Sequence, residues 1–326
     1  MDKTSGEGHP AEASRVDVSI VVVNWNTRDL LRQCLHSLDT GPYGSEIILV
    51  DNASTDGSVE MIRREFPNVK LVVNRDNVGF IRATNQVLRQ TLGARVLLLN
   101  PDTIMRKSCI QTLMKYLTDH PQCSAVGPRI VHPMGRLSVL SAGRQPSLAS
   151  AFNHFLFLSR FSKNIRVLEG LYLIQGIHDD RPRAVEWLTG GCLLVRREVI
   201  DEVGLLNERW FMYAEDMEWC DRMRSGGWQL AHVPTAVVEH HVGASAEQNP
   251  DVSGMWLRNM RSHFATRTGA TSLDLAVFDL ILVAGLGLRA VGYLARSLVD
   301  SHRRSLWLAN AARFGEYAIA PRRWRS

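Results

Sequence analysis

Four short apolar runs, each followed by a polar cluster, alternate with segments of helical periodicity over the first hundred residues. The runs span residues 18–23, 46–50, 69–73 and 95–99, and apolar positions between them recur every three or four residues, as at Leu31, Leu35 and Leu38. This alternation predicts an α/β fold with a parallel sheet and helices on both faces. Because the carboxyl ends of parallel strands share one edge, we expect the polar clusters to meet there, where such sheets bind ligands.

The rest of the chain is less regular. From residue 128 to 183, prolines, glycines and apolar patches follow no clear period, whereas a strand and two helices are indicated after Gly190 and Gly191. We therefore predict a disordered leader at 1–16, a catalytic domain at 17–250 with a variable, substrate-facing region at 128–184, and a helical tail at 251–326.

The tail carries an apolar segment interrupted by charges. Residues 273–299 contain Asp274, Asp279, Arg289 and Arg296, and the longest uncharged run, 280–288, is far shorter than the roughly 20 residues that a membrane span requires. This pattern predicts an amphipathic helical tail that lies on a membrane or packs on the domain without crossing the membrane.

The distribution of charge supports a membrane partner. The formal net charge is only +5, but basic residues crowd the C-terminal end, at Arg303, Arg304, Arg322, Arg323 and Arg325. Such a cluster favours an anionic membrane surface. Nucleic acid is not expected as a partner, because the cluster lacks the interleaved aromatic platform on which single-strand binders stack bases.

Composition indicates the class of protein but not its chemistry. With 326 residues, 45% hydrophobic and 22% charged, the chain is long enough for a sizeable core and is not typical of disorder. Its five cysteines include no C-x-x-C pair, which argues against a disulfide framework or a zinc site. The first fifteen residues lack the apolar segment of a secretory signal. We expect a cytoplasmic protein associated peripherally with the inner face of the cell membrane.

Polar residues at the ends of the predicted strands are candidates for ligand binding. Asp51 begins the turn Asp-Asn-Ala-Ser-Thr-Asp-Gly-Ser, whose oxygens can accept hydrogen bonds from a nucleotide base or ribose, although an Asx-turn with a helix cap explains it equally well. Asp102 follows the most apolar strand, where its carboxylate suits Mg²⁺ or Mn²⁺; the alternative is another turn with a helix cap. His240 ends a further apolar segment, where a histidine is more often structural.

Two further groups are candidates for catalysis and acceptor binding. Glu215 and Asp216 open a helix, whose N-terminus favours ionised carboxylates and suits a base that accepts a proton from a sugar hydroxyl. Simple helix capping explains the pair equally well. Trp187, Trp210 and Tyr213 offer apolar faces for a sugar ring, although aromatic residues near strands more often belong to the core.

In this order the segments resemble family 2 inverting glycosyltransferases of GT-A fold, in particular the bacterial rhamnosyltransferase-like branch. The likeness covers about residues 18–245. It is carried by the segments 18–26, 50–58, 77–80 with Asn85, 99–103, 187–192 and 215–216. The resemblance implies a Rossmann-like, mostly parallel sheet, with a nucleotide-binding half at 17–127 and an acceptor and catalytic half at 185–250.

The resemblance also assigns roles to individual residues. Contacts with the nucleotide-sugar donor are implied for Asn24, Asn26, Asp51, Asn52, Ser54, Asn77, Gly79, Asn100, Asp102, Gly190 and Gly191. Asn100 stands where the family's D-x-D motif has its first Asp, which leaves Asp102 as the main acidic ligand of the divalent cation. His240 matches the family's metal histidine better than His241, by its spacing to Gly243 and Ser245. Asp216, beside Glu215, is implied as the base of a direct displacement that inverts the anomeric carbon.

The implied substrates are a nucleotide-diphosphate sugar and a membrane-bound glycan. A dTDP-sugar, with rhamnose first, or a UDP-sugar is expected as donor, and a polyprenyl-linked or other cell-envelope glycan as acceptor. A nucleotidyltransferase acting on sugar phosphates is an alternative, but those enzymes commonly carry a Gly-rich loop where this chain has Val-Asn-Trp-Asn at 23–26. An inactive membrane-attached scaffold of the same fold is another; it predicts loss of Asp102, Asp216 and His240, which are all present.

Overall fold

The computed structural model describes residues 16–132, 141–162, 165–174, 180–241 and 254–319. The strands are β1 (Val18–Asn24), β2 (Ser45–Asp51), β3 (Lys70–Val73), β4 (Arg95–Leu99), β5 (Thr103–Met105), β6 (Cys123–Val131), β7 (Ala142–Gly143), β8 (Arg183–Val185), β9 (Trp187–Leu188), β10 (Cys192–Arg196) and β11 (Gln229–His240). The α-helices are α1 (Arg28–His36), α2 (Ser58–Glu65), α3 (Phe80–Leu88), α4 (Cys109–Asp119), α5 (Leu148–Phe155), α6 (Arg197–Val203), α7 (Glu215–Ser225), α8 (Met255–Thr268), α9 (Ser272–Val299) and α10 (Arg304–Ile319). Residues 1–15, Gly243, Ser245, Arg322, Arg323 and Arg325, which entered the sequence predictions, lie outside the described residues.

One large sheet forms the centre of the molecule. Its strands follow the order β3-β2-β1-β4-β10-β6-β11-β5, and β8 also pairs with β11. Strands β1 to β4 are mutually parallel, and β6 is parallel to β11. Strand β10 runs antiparallel to β4 and β6 on either side, and Cys192 at its start lies opposite Leu99 at the end of β4. This confirms the predicted α/β architecture, and it places the turn before β10 at the ligand-binding edge.

Burial on both faces explains why the first strands are continuous apolar runs. All seven residues of β1 are buried. Along this strand Ile20 and Val22 belong to the core formed with α1, α2 and α4, whereas Val21 and Val23 belong to the core formed with α3, α6 and α7. Successive strand residues point to opposite faces, so each face of the sheet receives its own apolar layer.

The region predicted to be variable begins within a strand. Strand β6 continues to Val131, past the expected boundary at residue 128. Helix α5 and two 3-10 turns, Leu158–Phe161 and Arg166–Leu168, follow later in the region. Strand β9 then pairs with β7 in a separate two-stranded sheet.

The tail forms a third core with the variable region. Buried residues of α5, α8 and α9 pack together, among them Phe155, Phe264 and Phe278. Gly285 permits the close approach of α9 to α5, because a Cβ at this position would lie 2.4 Å from the Cβ of Phe155. The tail therefore packs on the domain, which is one of the two arrangements predicted for it.

Two of the four charged residues of helix α9 point to the inside, while many of its apolar residues are exposed. Asp279 is only 4% exposed and pairs with Arg261 of α8 at 2.6 Å. Arg289 donates to the backbone carbonyls of His154 and Phe155. The exposed large apolar residues, which we call the outer face of α9, are Leu273, Val277, Leu280, Leu288, Val291, Leu294, Leu298 and Val299. Helix α9 is also long and apolar enough to cross a membrane, a property that it shares with the buried core helices of soluble proteins.

Candidate active site

The loops after β1 and β2 are joined by their side chains. The Asn24 amide donates to Asp51 Oδ2 at 2.8 Å and to Ser54 Oγ at 3.1 Å, and the Ser54 backbone N–H donates to Asp51 Oδ1 at 2.9 Å. The Asn26 backbone N–H also donates to Ser54 Oγ. Asp51 has no exposed surface, so it organises the loop, while Asn26 and Ser54 keep partly exposed polar groups.

A second group of amides lies beside this loop. The Asn52 amide donates to Asn77 Oδ1 at 2.8 Å and to the carbonyl of Gly79, and Asn77 Oδ1 also accepts from the Gly79 N–H. Gly79 has φ of +85°, and a Cβ there would lie 2.7 Å from the Phe211 ring. Only glycine satisfies both conditions without strain. The structure thus brings Asn24, Asn26, Asp51, Asn52, Ser54, Asn77 and Gly79 together at one edge of the sheet.

Asp102 and His240 meet at the end of β4. Strand β5 follows Asp102 directly and pairs with the end of β11, where His240 lies opposite Thr103. Asp102 Oδ1 is 3.0 Å from His240 Nε2, and Asn100 Nδ2 is 3.4 Å from the same nitrogen. The His241 backbone N–H donates to the Asp102 carbonyl, so the two histidines have different surroundings.

The Asp102–His240 pair fits a divalent cation. Two ligands at about 2.1 Å and at right angles in an octahedral shell are about 3.0 Å apart, which matches the measured separation of 3.0 Å. A carboxylate oxygen with an imidazole nitrogen is a suitable donor set for Mn²⁺ and also accommodates Mg²⁺. Within the described residues no three His, Cys, Asp or Glu side chains gather around a point. The remaining positions would therefore fall to water and to phosphate oxygens of a substrate.

The turn at Gly190 and Gly191 connects this pair with Asp216. The Gly190 N–H donates to Asp216 Oδ2 at 3.1 Å, and the Met217 N–H donates to Asp216 Oδ1 at 2.8 Å. A Cβ at Gly191 would lie 3.2 Å from His240 Cε1. Two consecutive glycines therefore contact the candidate base and the candidate cation ligands.

Glu215 and Asp216 are adjacent carboxyl groups at the start of α7. Glu215 is 7% exposed, and its Oε2 has no hydrogen-bond partner within the described residues. Burial, together with the charge of Asp216, raises the pKa of Glu215 to about 8. Burial also raises the pKa of Asp216, and the backbone N–H groups of Gly190 and Met217 oppose that rise. At neutral pH Glu215 therefore holds a proton.

The loop before α7 is strained and is held by the tail. Tyr213 and Ala214 have φ of 68° and 71°, which is unfavourable for residues other than glycine. The Asn259 amide of α8 donates to the carbonyls of Met212 and Tyr213, at 2.7 and 3.3 Å. The Gln145 amide supports the next turn by donating to the Met217 carbonyl at 2.8 Å. Neither amide belongs to a motif, so sequence reasoning missed both.

The three aromatic residues considered for the acceptor differ in position. Trp187 is 2% exposed and donates from its indole to the Leu171 carbonyl, and Trp210 is 8% exposed within the core. Their rings have almost no surface to offer a sugar. Tyr213 alone of the three is partly exposed, beside Glu215.

Comparison with known sequences identifies the family of the chain. Residues 19–204 match the family model for glycosyl transferase family 2. The N-acetylglucosaminyl-diphospho-decaprenol L-rhamnosyltransferase of Mycobacterium tuberculosis is 31% identical over 312 residues, which cover 89% of this chain and 96% of the relative. Rhamnosyltransferase WbbL of Escherichia coli K12 is 22% identical over 69% of this chain and 83% of its own length.

Solved structures share the fold. The mannosyltransferase PcManGT of Pyrobaculum calidifontis, in complex with GDP-Man and Mn²⁺, aligns with a TM-score of 0.56 and 18% identity over 94% of this chain and 87% of its own. Staphylococcus aureus TarS 1-349, in complex with UDP-GlcNAc, aligns with a TM-score of 0.51 and 16% identity over 94% of this chain and 83% of its own. These neighbours support the GT-A fold, and the family match favours sugar transfer over nucleotidyl transfer. The chain is a glycosyltransferase that belongs to glycosyl transferase family 2.

Proposed function

We propose that this enzyme transfers its sugar with inversion and uses Asp216 as the general base. The observation that carries the proposal is the Gly190–Gly191 turn, which contacts Asp216 on one side and the Asn100–His240 group on the other. Gly190 and Gly191 are consecutive, so their Cα atoms are about 3.8 Å apart. Asp216 and the candidate cation ligands therefore lie on the two sides of one narrow space. A donor sugar held there would expose its anomeric carbon to an acceptor hydroxyl beside Asp216.

The proposed step is a single displacement. A bond forms between the acceptor oxygen and the anomeric carbon, the bond from that carbon to the diphosphate oxygen breaks, and the hydroxyl proton passes to Asp216. A neutral Glu215 places no second negative charge beside Asp216. A divalent cation bound by Asp102 and His240 would offset charge on the departing diphosphate.

We propose dTDP-rhamnose as the donor, with UDP-sugars as the alternative. The support is the Mycobacterium tuberculosis relative, whose name describes an L-rhamnosyltransferase. The joined loops after β1 and β2 would hold the nucleoside through the partly exposed groups of Asn26 and Ser54, and Asp51 would keep these loops in place.

We propose a lipid-linked N-acetylglucosamine as the acceptor, because the same relative is named for N-acetylglucosaminyl-diphospho-decaprenol. The outer face of α9 suits an enzyme that works peripherally on the inner face of the cell membrane. An apolar helix face flanked by basic residues binds in the plane of an anionic membrane. In this chain the exposed Arg303 and Arg304 lie four and five residues after the end of the helix.

The test of the catalytic proposal uses a donor panel with lipid-linked N-acetylglucosamine. Asp216→Asn should reduce transfer about 10³-fold while donor affinity stays within about threefold, because the amide cannot accept the proton but keeps the shape. Asp201→Asn, an exposed carboxylate on α6, is the matched control. Full transfer activity in Asp216→Asn would remove this residue from the role of base.

Binding to lipid vesicles tests the membrane proposal. Leu280→Asp with Val291→Asp places two charges on the outer face of α9, where both side chains are more than half exposed and fold stability is little affected. Binding to vesicles containing anionic lipid should fall about tenfold or more. Leu92→Asp, at an exposed leucine outside the tail, should bind like the unaltered protein. Equal binding by the double variant would exclude this face.

A further inference from the structure

A cavity of about 650 Å³ lies beside the catalytic centre. It is formed by the 3-10 turn Arg166–Leu168, by β8, and by the end of α7 and the start of β11. Tyr172 links the cavity to the centre: it lines the cavity, and burial together with the negative charge of Asp216 raises its pKa. The ring of Tyr172 also lies 5.6 Å from that of Trp187, close to the Gly190–Gly191 turn. The described donor loops do not contribute to this cavity.

The lining of the cavity is positively charged. Its charged residues are Arg144, Arg166, Arg183, Arg224, Glu169 and Glu186. Arg183 pairs with Glu169 at 2.8 Å, but Arg224 reaches Glu186 only at 3.9 Å, and Arg166 has no ion pair within the described residues. Four arginines against two glutamates leave two positive charges. Arginine guanidinium groups whose N–H donors remain free for further hydrogen bonds suit a phosphate ligand.

Apolar residues border the same cavity. Val167 lines it and is 75% exposed, and Phe161 and Ile165 on the same segment are 63% and 49% exposed. This segment follows α5, which is held against α9 by Arg289 and Gly285. A positively charged cavity with an exposed apolar border matches a ligand that has an anionic group attached to a hydrophobic chain.

The distance from the base to the cavity suits a sugar joined to a diphosphate. Helix α7 begins with Asp216 in its first turn and reaches Arg224 eight residues later, which corresponds to about 12 Å along the helix. A hexose ring followed by a diphosphate spans a similar length. An acceptor with its hydroxyl at Asp216 would therefore place its diphosphate among the arginines.

We propose that this cavity binds the diphosphate of the lipid-linked acceptor and that the isoprenoid chain leaves across Phe161, Ile165 and Val167 toward the membrane. The inference rests on the function proposed above. A sugar–diphosphate–lipid diester carries two negative charges, which balance the two positive charges of the lining. The enzyme then holds two diphosphates in separate places, the donor's near Asp102 and the acceptor's at the arginines.

Calorimetric binding of farnesyl diphosphate tests the cavity directly. Arg166→Gln with Arg224→Gln should weaken binding about tenfold or more, because two charged hydrogen-bond donors are lost. The same variant should raise the KM for the lipid-linked acceptor to a similar extent and leave donor affinity unchanged. Arg63→Gln with Arg89→Gln removes the same charge at two exposed positions outside the cavity and should have neither effect. Arg166→Lys with Arg224→Lys should retain part of the binding, which separates charge recognition from misfolding.

Inorganic pyrophosphate and farnesol distinguish the sources of affinity. Both should bind more weakly than farnesyl diphosphate, since each lacks half of the proposed ligand. Equal binding of pyrophosphate would overturn the lipid assignment, and equal binding of farnesyl diphosphate to the glutamine variant would overturn the site. If the unaltered enzyme fails to hydrolyse or transfer any donor sugar, the proposed reaction fails, whereas the calorimetric result still decides whether the cavity binds isoprenoid diphosphates.

Discussion

Replacing Glu215 with glutamine should stabilise the protein at alkaline pH and leave its activity at neutral pH nearly unchanged. The reason is the buried carboxyl group, whose pKa is raised to about 8 from an ordinary value of 4.5. The folded state therefore binds this proton more tightly than the unfolded state. Its contribution to stability is fully present below the ordinary pKa and is lost as the pH rises through about 8.

The size of the effect follows from the two pKa values. Each pH unit between them costs about 1.4 kcal/mol, so the loss of stability between about pH 5 and pH 8 is about 3 to 4 kcal/mol. Glutamine has the same shape and stays neutral throughout, so the variant escapes this loss. For a protein of this size the difference corresponds to about 7 °C in Tm.

Thermal unfolding at the two pH values measures the difference. The Tm advantage of Glu215→Gln over the unaltered protein should grow from about pH 5 to pH 8, whereas Glu60→Gln, at an exposed glutamate on α2, should show no such growth. Transfer activity at pH 7 should remain within about threefold, because Glu215 is already neutral there. If Glu215→Gln and the unaltered protein show the same pH dependence of Tm, or if the variant is destabilised at pH 8, the carboxyl group is not protonated in the folded state.

Two further variants test the cation ligands and the support of the catalytic loop. His240→Ala should raise the Mn²⁺ concentration for half-maximal activity about tenfold or more. His241→Ala should not, since only the backbone N–H of His241 contacts Asp102. Equal metal dependence of the two variants would contradict the assignment of His240 as a cation ligand. Asn259→Ala should lower the free energy of unfolding by about 2 kcal/mol and reduce kcat more than it changes KM, because the amide holds the strained loop before Asp216. Asn310→Ala, whose amide bonds only within α10, is the control, and an unchanged kcat in Asn259→Ala would show that the loop keeps its shape unaided.

The sequence predicted the first half of the fold well because burial on both faces requires continuous apolar runs, as in β1 and β4. The direction of β10 and the pairing of β7 with β9 were not predictable, since an apolar run does not encode its partner strand. In the candidate site, the strand ends placed Asp51 and Asp102 at one edge, where the structure has them. The support from Asn259 and Gln145 was missed because a single amide in a helix or loop has no pattern to distinguish it.

The partners of the charges in α9 were not predictable for a related reason. Asp279 and Arg289 interrupt the apolar run in the sequence, which predicted an amphipathic helix but not which residues these charges contact. In the structure both are satisfied by the protein, Asp279 by Arg261 and Arg289 by backbone carbonyls. The sequence shows that a charged residue is present, but the direction of its side chain depends on partners far away in the chain.

The arrangement of charged and apolar residues on α9 also determines how the helix can vary during evolution. In most surface helices the outward positions accept almost any polar residue, while the inward ones conserve shape. On the membrane contact proposed above, outward positions of α9 such as Leu280 should interchange freely among leucine, valine and isoleucine, because a fluid hydrocarbon phase has no shape to match. Inward, Asp279 and Arg261 are expected to change only together, since either alone would leave a buried charge without its partner. Among related chains, correlated substitution should therefore be found on the side of α9 that faces the protein, and neutral drift on the side that faces away.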